Sequence, residues 1–149
     1  MFVRLAAPLL LAVLACSCGD DPAVATTTPL RLEVTVSPNP LPAPAGPGNI
    51  FWDVVLRASG RGTFLIERAD VLLLDASGAV VGQKQEFWSR SAGCSVCTTD
   101  FTIEGGRAAQ FSGKSVRYVG GGVPVRFTYT VFYSDSVGPG QTGVEVPVR

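Results

Sequence analysis

Cys94 and Cys97, separated by Ser95 and Val96, are the one pairing in this sequence with the spacing of a chemical site. A Cys-x-x-Cys unit serves as a redox pair, as half of a metal site or as a small disulfide, and its surroundings decide which. A redox pair needs a thiolate activated at a helix N-terminus, whereas this one lies between Gly93 and Thr98 with strand-like runs on both sides. A metal site needs more ligands. The chain has no histidine, and Cys16 and Cys18 belong to the N-terminal segment, so only carboxylates are left to complete a shell. The expected state is a structural disulfide between Cys94 and Cys97 that tightens a loop. Thiol–disulfide exchange is the competing reading, and an insulin-reduction assay separates the two. No metal and no other cofactor is expected.

The missing histidine also removes the commonest general base near neutral pH and every triad that depends on it. Glu67 with Asp70, and Asp75 with Asp135, are the carboxylate pairs on offer; they read first as turn caps and surface charge. No catalytic residue is assigned, and the chain reads as a non-enzyme. Gly120, Gly121 and Gly122 lack the following Lys and Ser or Thr, and the helix, of a phosphate loop. Lys plus Arg and Asp plus Glu number 12 each. The basic residues are scattered along the chain, which gives no footprint for nucleic acid or for an anionic bilayer.

The elements that must carry the cysteine pair are strands. Val125, Phe127, Tyr129, Val131 and Tyr133 fall on one side of an extended run, with Arg126, Thr128, Thr130 and Ser134 on the other. After a loop from Ser136 to Gln141, Val144, Val146 and Val148 form the returning arm of a hairpin. Upstream, Leu30, Leu32, Val34 and Val36 alternate, then Pro38, Pro40, Pro42, Pro44 and Pro47 form a stiff connector. Ile50, Trp52, Val54, Leu56 and Ala58 share a buried face, with Trp52 as the central aromatic. Ser59 to Gly62 turns the chain. In Thr63 to Asp75 the apolar phase switches from Phe64 and Ile66 to Ala69, Val71 and Leu73, which predicts a bulge near Arg68. Asp75 to Gly78 turns into a strand from Ala79 to Trp88. Beyond the cysteine loop, Phe101 to Ile103, Ala108 to Phe111 and Val116 to Val119 read as three short strands. With 149 residues, 46% of them hydrophobic, the chain is long enough for one domain with a sizeable core.

Met1 to Ala15 carries one positive charge, Arg4, before the apolar run Leu5 to Ala15, about half the ~20 residues of a membrane-spanning helix. It reads as an export signal. The run closes on Val13, Leu14, Ala15, Cys16, which resembles the lipobox of bacterial lipoproteins. That resemblance implies that Cys16 is acylated and becomes the mature N-terminus; Cys18 offers a competing site, and a plain secretory signal is the alternative. Ser17 in place of Asp implies, by the same resemblance, an outer-membrane lipoprotein facing the periplasm or the cell surface, an oxidising setting. Residues 16–29 then form a disordered tether reaching roughly 40 Å when stretched. Val36, Ser37 and Pro38 resemble the end of the first strand in bacterial immunoglobulin-like and fibronectin III-like domains. The expected architecture is signal peptide 1–15, tether 16–29, and an all-β, immunoglobulin-like antiparallel β-sandwich of seven to nine strands over 30–149.

The leading expectation for function is a non-catalytic cell-envelope lipoprotein. Its domain serves as a structural module or binds an envelope or extracellular protein or a glycan; the membrane is met through the lipid, and nucleic acid is not a partner. The alternatives are a thiol-disulfide oxidoreductase and a secreted sandwich-type protease inhibitor. Counting strand directions places Ser59, the cysteine loop with Arg90, Ser91 and Ser95, and the loop with Gly138 together at the tether end, as one binding surface.

Overall fold

A computed structural model describes residues 28–149; Cys16, Cys18, the signal and most of the tether lie outside the described residues. Its elements follow from the two-residue periodicity. β1 (Arg31–Ser37), β2 (Gly48–Ser59) and β6 (Ala108–Tyr118) form one antiparallel sheet in the order β1-β2-β6. The second sheet runs β4 (Val80–Phe87), β3 (Thr63–Leu74), β7 (Arg126–Ser134), β8 (Pro139–Pro147), and β5 (Phe101–Glu104) pairs with the first part of β3. This is an immunoglobulin-like β-sandwich of eight strands. The residues that alternate inward meet between the sheets: Trp52 of β2 lies 5.0 Å from the Phe127 ring and 6.1 Å from that of Tyr129. Both sheets and their shared core lie within residues 28–149, so this stretch holds what it needs to fold without residues 1–27.

Of three register slips among the described strands, two decide the readings made from the sequence. In β3 the register against β7 slips between Ile66 and Arg68, so Glu67 is the extra residue and the buried set passes from Phe64 and Ile66 to Ala69, Val71 and Leu73. In β6 a second slip, opposite Trp52 and Val54, corrects an expectation. Ala108 to Phe111 and Val116 to Val119 are not separate strands: Ser112 and Gly113 make a bulge within β6, not a turn. Gly113 takes φ +66°, and its N–H donates to Asp53 Oδ1 at 2.8 Å, so a side chain of the neighbouring strand occupies the place of a ladder partner. Val125, expected on the buried face, precedes β7 and is exposed; its N–H donates to the Leu74 carbonyl at the end of the neighbouring strand.

The proline connector carries the chain from one sheet to the other. β1 pairs with β2, whereas Leu41, fully buried, bridges in parallel to Val148; its N–H donates to Pro147 at 2.9 Å and its carbonyl accepts from Arg149 at 2.9 Å. Prolines suit such a crossing, because they bring no N–H that a ladder would have to satisfy.

Candidate functional site: the disulfide-bound loop at the sheet edge

β4 and β5 pair with the same edge of β3 and run in the same direction, β4 along Arg68–Leu74 and β5 along Thr63–Ile66. Residues 88–100 leave the edge in the gap between them. The cysteine loop therefore projects from the side of the sheet, with its base at Ile66 and Glu67, roughly 10 Å up β3 from its first residue. This corrects the counting that put the loop at the tether end, which assumed that each strand reverses the last. Ser59 at the end of β2 and Gly138 in the β7–β8 turn do share the tether end, because the continuous β6 removes one reversal and the common direction of β4 and β5 removes another. Arg90, Ser91 and Ser95 stay with the loop.

The loop is pinned by four devices. At its root the fully buried Ser89 hydroxyl donates to the Ile66 carbonyl and accepts the Phe101 N–H at 3.0 Å, standing as a side-chain rung between β3 and β5. Next, a 3-10 turn, Arg90–Ala92, is closed by Gly93 at φ +94°, a left-handed conformation that favours glycine. Across the loop, Asp100 Oδ1 accepts both the N–H and the hydroxyl of Ser91, each at 3.1 Å. The Ser91 backbone N–H, more than any other partner, holds this carboxyl below the ordinary aspartate value of 3.8. Finally a disulfide joins Cys94 to Cys97 with Cα atoms 5.3 Å apart. Cys94 faces inward, and Val96, inside the four-residue ring, is 88% exposed. A shallow hollow of about 500 Å³ beside it is lined by Arg90, Gly93, Cys94, Ser95, Cys97 and Thr98.

Beneath the loop, aromatic side chains join the sheets. Trp88 and Phe101, which flank it in sequence, pack on Phe111 of β6; Trp88 and Phe111 are stacked at 4.9 Å, and Phe101 meets both edge-on. The Lys114 ammonium lies 5.3 Å from the Phe111 ring centroid and 5.6 Å from that of Trp88. It also reaches Glu86 Oε2 at 3.3 Å, which accepts the Tyr129 hydroxyl at 3.2 Å. Lys84 Nζ stands 2.9 Å from the other Glu86 oxygen but outside hydrogen-bonding angles, so that oxygen is paired in charge without an aligned donor. Burial first, and the Glu86 carboxylate second, push the Tyr129 hydroxyl far above the usual tyrosine range and keep it a donor.

The carboxylate pairs are taken up locally. Glu67 accepts the Ser134 hydroxyl at 2.5 Å, and Asp70 meets Arg68 at 3.3 Å and Gln85 at 3.1 Å. Asp75 and Asp135 cap turns at opposite ends of the sandwich, through the N–H groups of Ser77 and Ala79 and of Val137 and Gly138. Among the described residues no three His, Cys, Asp or Glu side chains gather as metal ligands do. Reading the sequence missed Ser89, Glu86 and Val96. Only Val96 had a signal: a ring of four residues is too small to cover its own apolar member.

No protein-family model matches the chain, and no curated protein does. Among solved structures it is similar to the Northeast Structural Genomics Consortium target SoR45, at 14% identity over 80% of this chain and 86% of that one, with a TM-score of 0.41. It is similar also to a Bordetella pertussis protein described as ApaA, at 13% identity over 82% of this chain and 97% of that one, with a TM-score of 0.44.

Proposed function

We propose that this chain is a non-catalytic cell-envelope lipoprotein, anchored through Cys16, whose sandwich holds out the cysteine loop as a binding element for an envelope or extracellular protein. The observation that carries the binding reading is the rigid presentation of Val96. A mobile loop loses side-chain and backbone freedom on docking, whereas this one is fixed in advance by Ser89, Asp100 and the disulfide. Its apolar tip, Val96, is exposed, and the hollow beside the disulfide adds the polar side chains of Arg90, Ser95 and Thr98 to the same loop. The thiols, held as a disulfide in a sandwich edge with only a three-residue turn beside them, lack the helix N-terminus that activates a redox cysteine.

The membrane half of the proposal rests on the Val13 to Cys16 pattern. Metabolic labelling with a fatty acid should mark the protein, and Cys16→Ala should abolish the mark; label that survives the change moves the anchor to Cys18 or removes it. The binding half is tested by crosslinking on cells of the source bacterium. Wild-type protein should capture a discrete partner, and Val96→Asp should weaken the purified pair about tenfold or more, the effect of charging an apolar contact. Equal affinity for both forms would place the contact elsewhere.

A further inference from the structure

Arginines that are scattered in sequence converge at one end of the folded domain. Arg31 opens β1 opposite Ser59, Arg57 precedes the end of β2, Arg61 sits in the β2–β3 turn and Arg107 in the β5–β6 turn. The two turns are stitched together: Gly105 N–H donates to Gly62 at 2.8 Å, Gly106 N–H to Ala58 at 2.9 Å, and Ala58 N–H to Arg107 at 2.9 Å. Their approach is so close that a Cβ on Gly105 would lie 2.1 Å from the Gly60 carbonyl oxygen, so the spacing of Arg61 and Arg107 is fixed by backbone. All four side chains are exposed. Of the seven arginines outside the ion pairs among the described residues, four share this end; Arg68, Arg126, Lys84 and Lys114 have acidic partners. The acids nearby are Glu33, opposite Arg57 in the ladder, and Glu104, opposite Thr63, which leaves the group a net charge of 4 − 2 = +2. Asp135 lies in the β7–β8 turn of the same end, where it accepts the N–H groups of its own turn, and counting it brings the formal charge of this end to 4 − 3 = +1.

This is also the end at which the chain enters. A Cβ on Gly60 would stand 2.5 Å from the Pro29 carbonyl oxygen, so the segment leading back to Cys16 departs beside the arginines. We infer that this end is a docking face for anionic phospholipid: Arg31, Arg57, Arg61 and Arg107 meet headgroup phosphates and seat the domain on the bilayer. The inference rests on the lipoprotein reading for its geometry, since a tether of residues 17–29 spans at most roughly 40 Å and keeps this end near the surface. Guanidinium forks match phosphate oxygens, and each basic group at an anionic surface strengthens partitioning roughly fivefold. Seated this way, the sheet edge with the cysteine loop stands sideways to the membrane and free for a partner.

The test uses residues 28–149, without leader or acyl chain, in co-sedimentation with phosphatidylcholine vesicles that contain or lack phosphatidylglycerol. The wild-type domain should bind only the anionic vesicles, and high salt should release it. Arg57→Ser, Arg61→Ser and Arg107→Ser together should weaken that binding on the order of a hundredfold, from the fivefold effect of each. Arg90→Ser, Arg117→Ser and Arg149→Ser, with the same change in net charge, should leave it nearly unchanged. Equal losses in the two triple variants, or binding indifferent to phosphatidylglycerol, would overturn the docking face. No acyl chain takes part, so this outcome is independent of the fatty-acid labelling that tests the anchor.

Discussion

Trp52→Ala should remove about 3–5 kcal/mol from the stability of the domain, and Phe127→Ala a similar amount, measured by urea unfolding. Trp52 is the largest side chain in the core and is 2% exposed; Phe127 is wholly buried, and the two rings are 5.0 Å apart and tilted by 58°. Truncating either leaves a cavity that neither sheet can close, because each is held at both ends by turns and by the Leu41 crossing. The two losses should not add. The rings contact one another and both approach Tyr129, so the double variant should cost less than the sum, the shortfall measuring their coupling. Trp52→Phe is the informative control. The Trp52 indole N–H is buried with no acceptor, so the change gives up volume but also removes an unsatisfied donor, and its cost should be well below that of Ala. A loss under 1 kcal/mol for Trp52→Ala would mean that the ring does not occupy the space between the sheets.

The sandwich was legible in the sequence because a strand with one buried face writes its own phase. Even the bulge at Glu67 could be read, since the apolar set changes phase there. The same reasoning failed at Ser112 and Gly113, where a turn and a bulge have the same local composition and the deciding partner, Asp53, lies sixty residues upstream. It failed again at Glu86, whose burial depends on Lys114 and Tyr129 from two other strands. The arginine cluster was hidden for a related reason: sequence distance says nothing about charges on turns that the topology brings together. Alternating direction, a safe rule for hairpins, broke down where β4 and β5 share one edge of β3. The position of the cysteine loop was the casualty.

Ser89→Ala should cost about 2–4 kcal/mol, more than reduction of the disulfide, although it removes a single oxygen. That oxygen satisfies two backbone groups at once, the Ile66 carbonyl and the Phe101 N–H, at a site with no exposed surface. Each group left without a partner carries a penalty of about 1–3 kcal/mol. Solvent does not reach the residue in the closed edge, so water can replace the hydroxyl only if the edge opens. The Cys94–Cys97 ring, by contrast, restrains few residues and contributes less than the ~3 kcal/mol of a longer loop. The two changes also differ in reach. Reduction frees the loop tip, while Ser89→Ala unhooks β5 from β3, so amide exchange should quicken at Phe101 and Ile103 in the variant and only around Val96 in the reduced protein. Binding through Val96 should fall in both, and further in the variant, because a rigid ring on a loosened root no longer holds a fixed position. A Ser89→Ala protein with wild-type stability and slow exchange at Phe101 would show that the loop is anchored by something other than this hydroxyl.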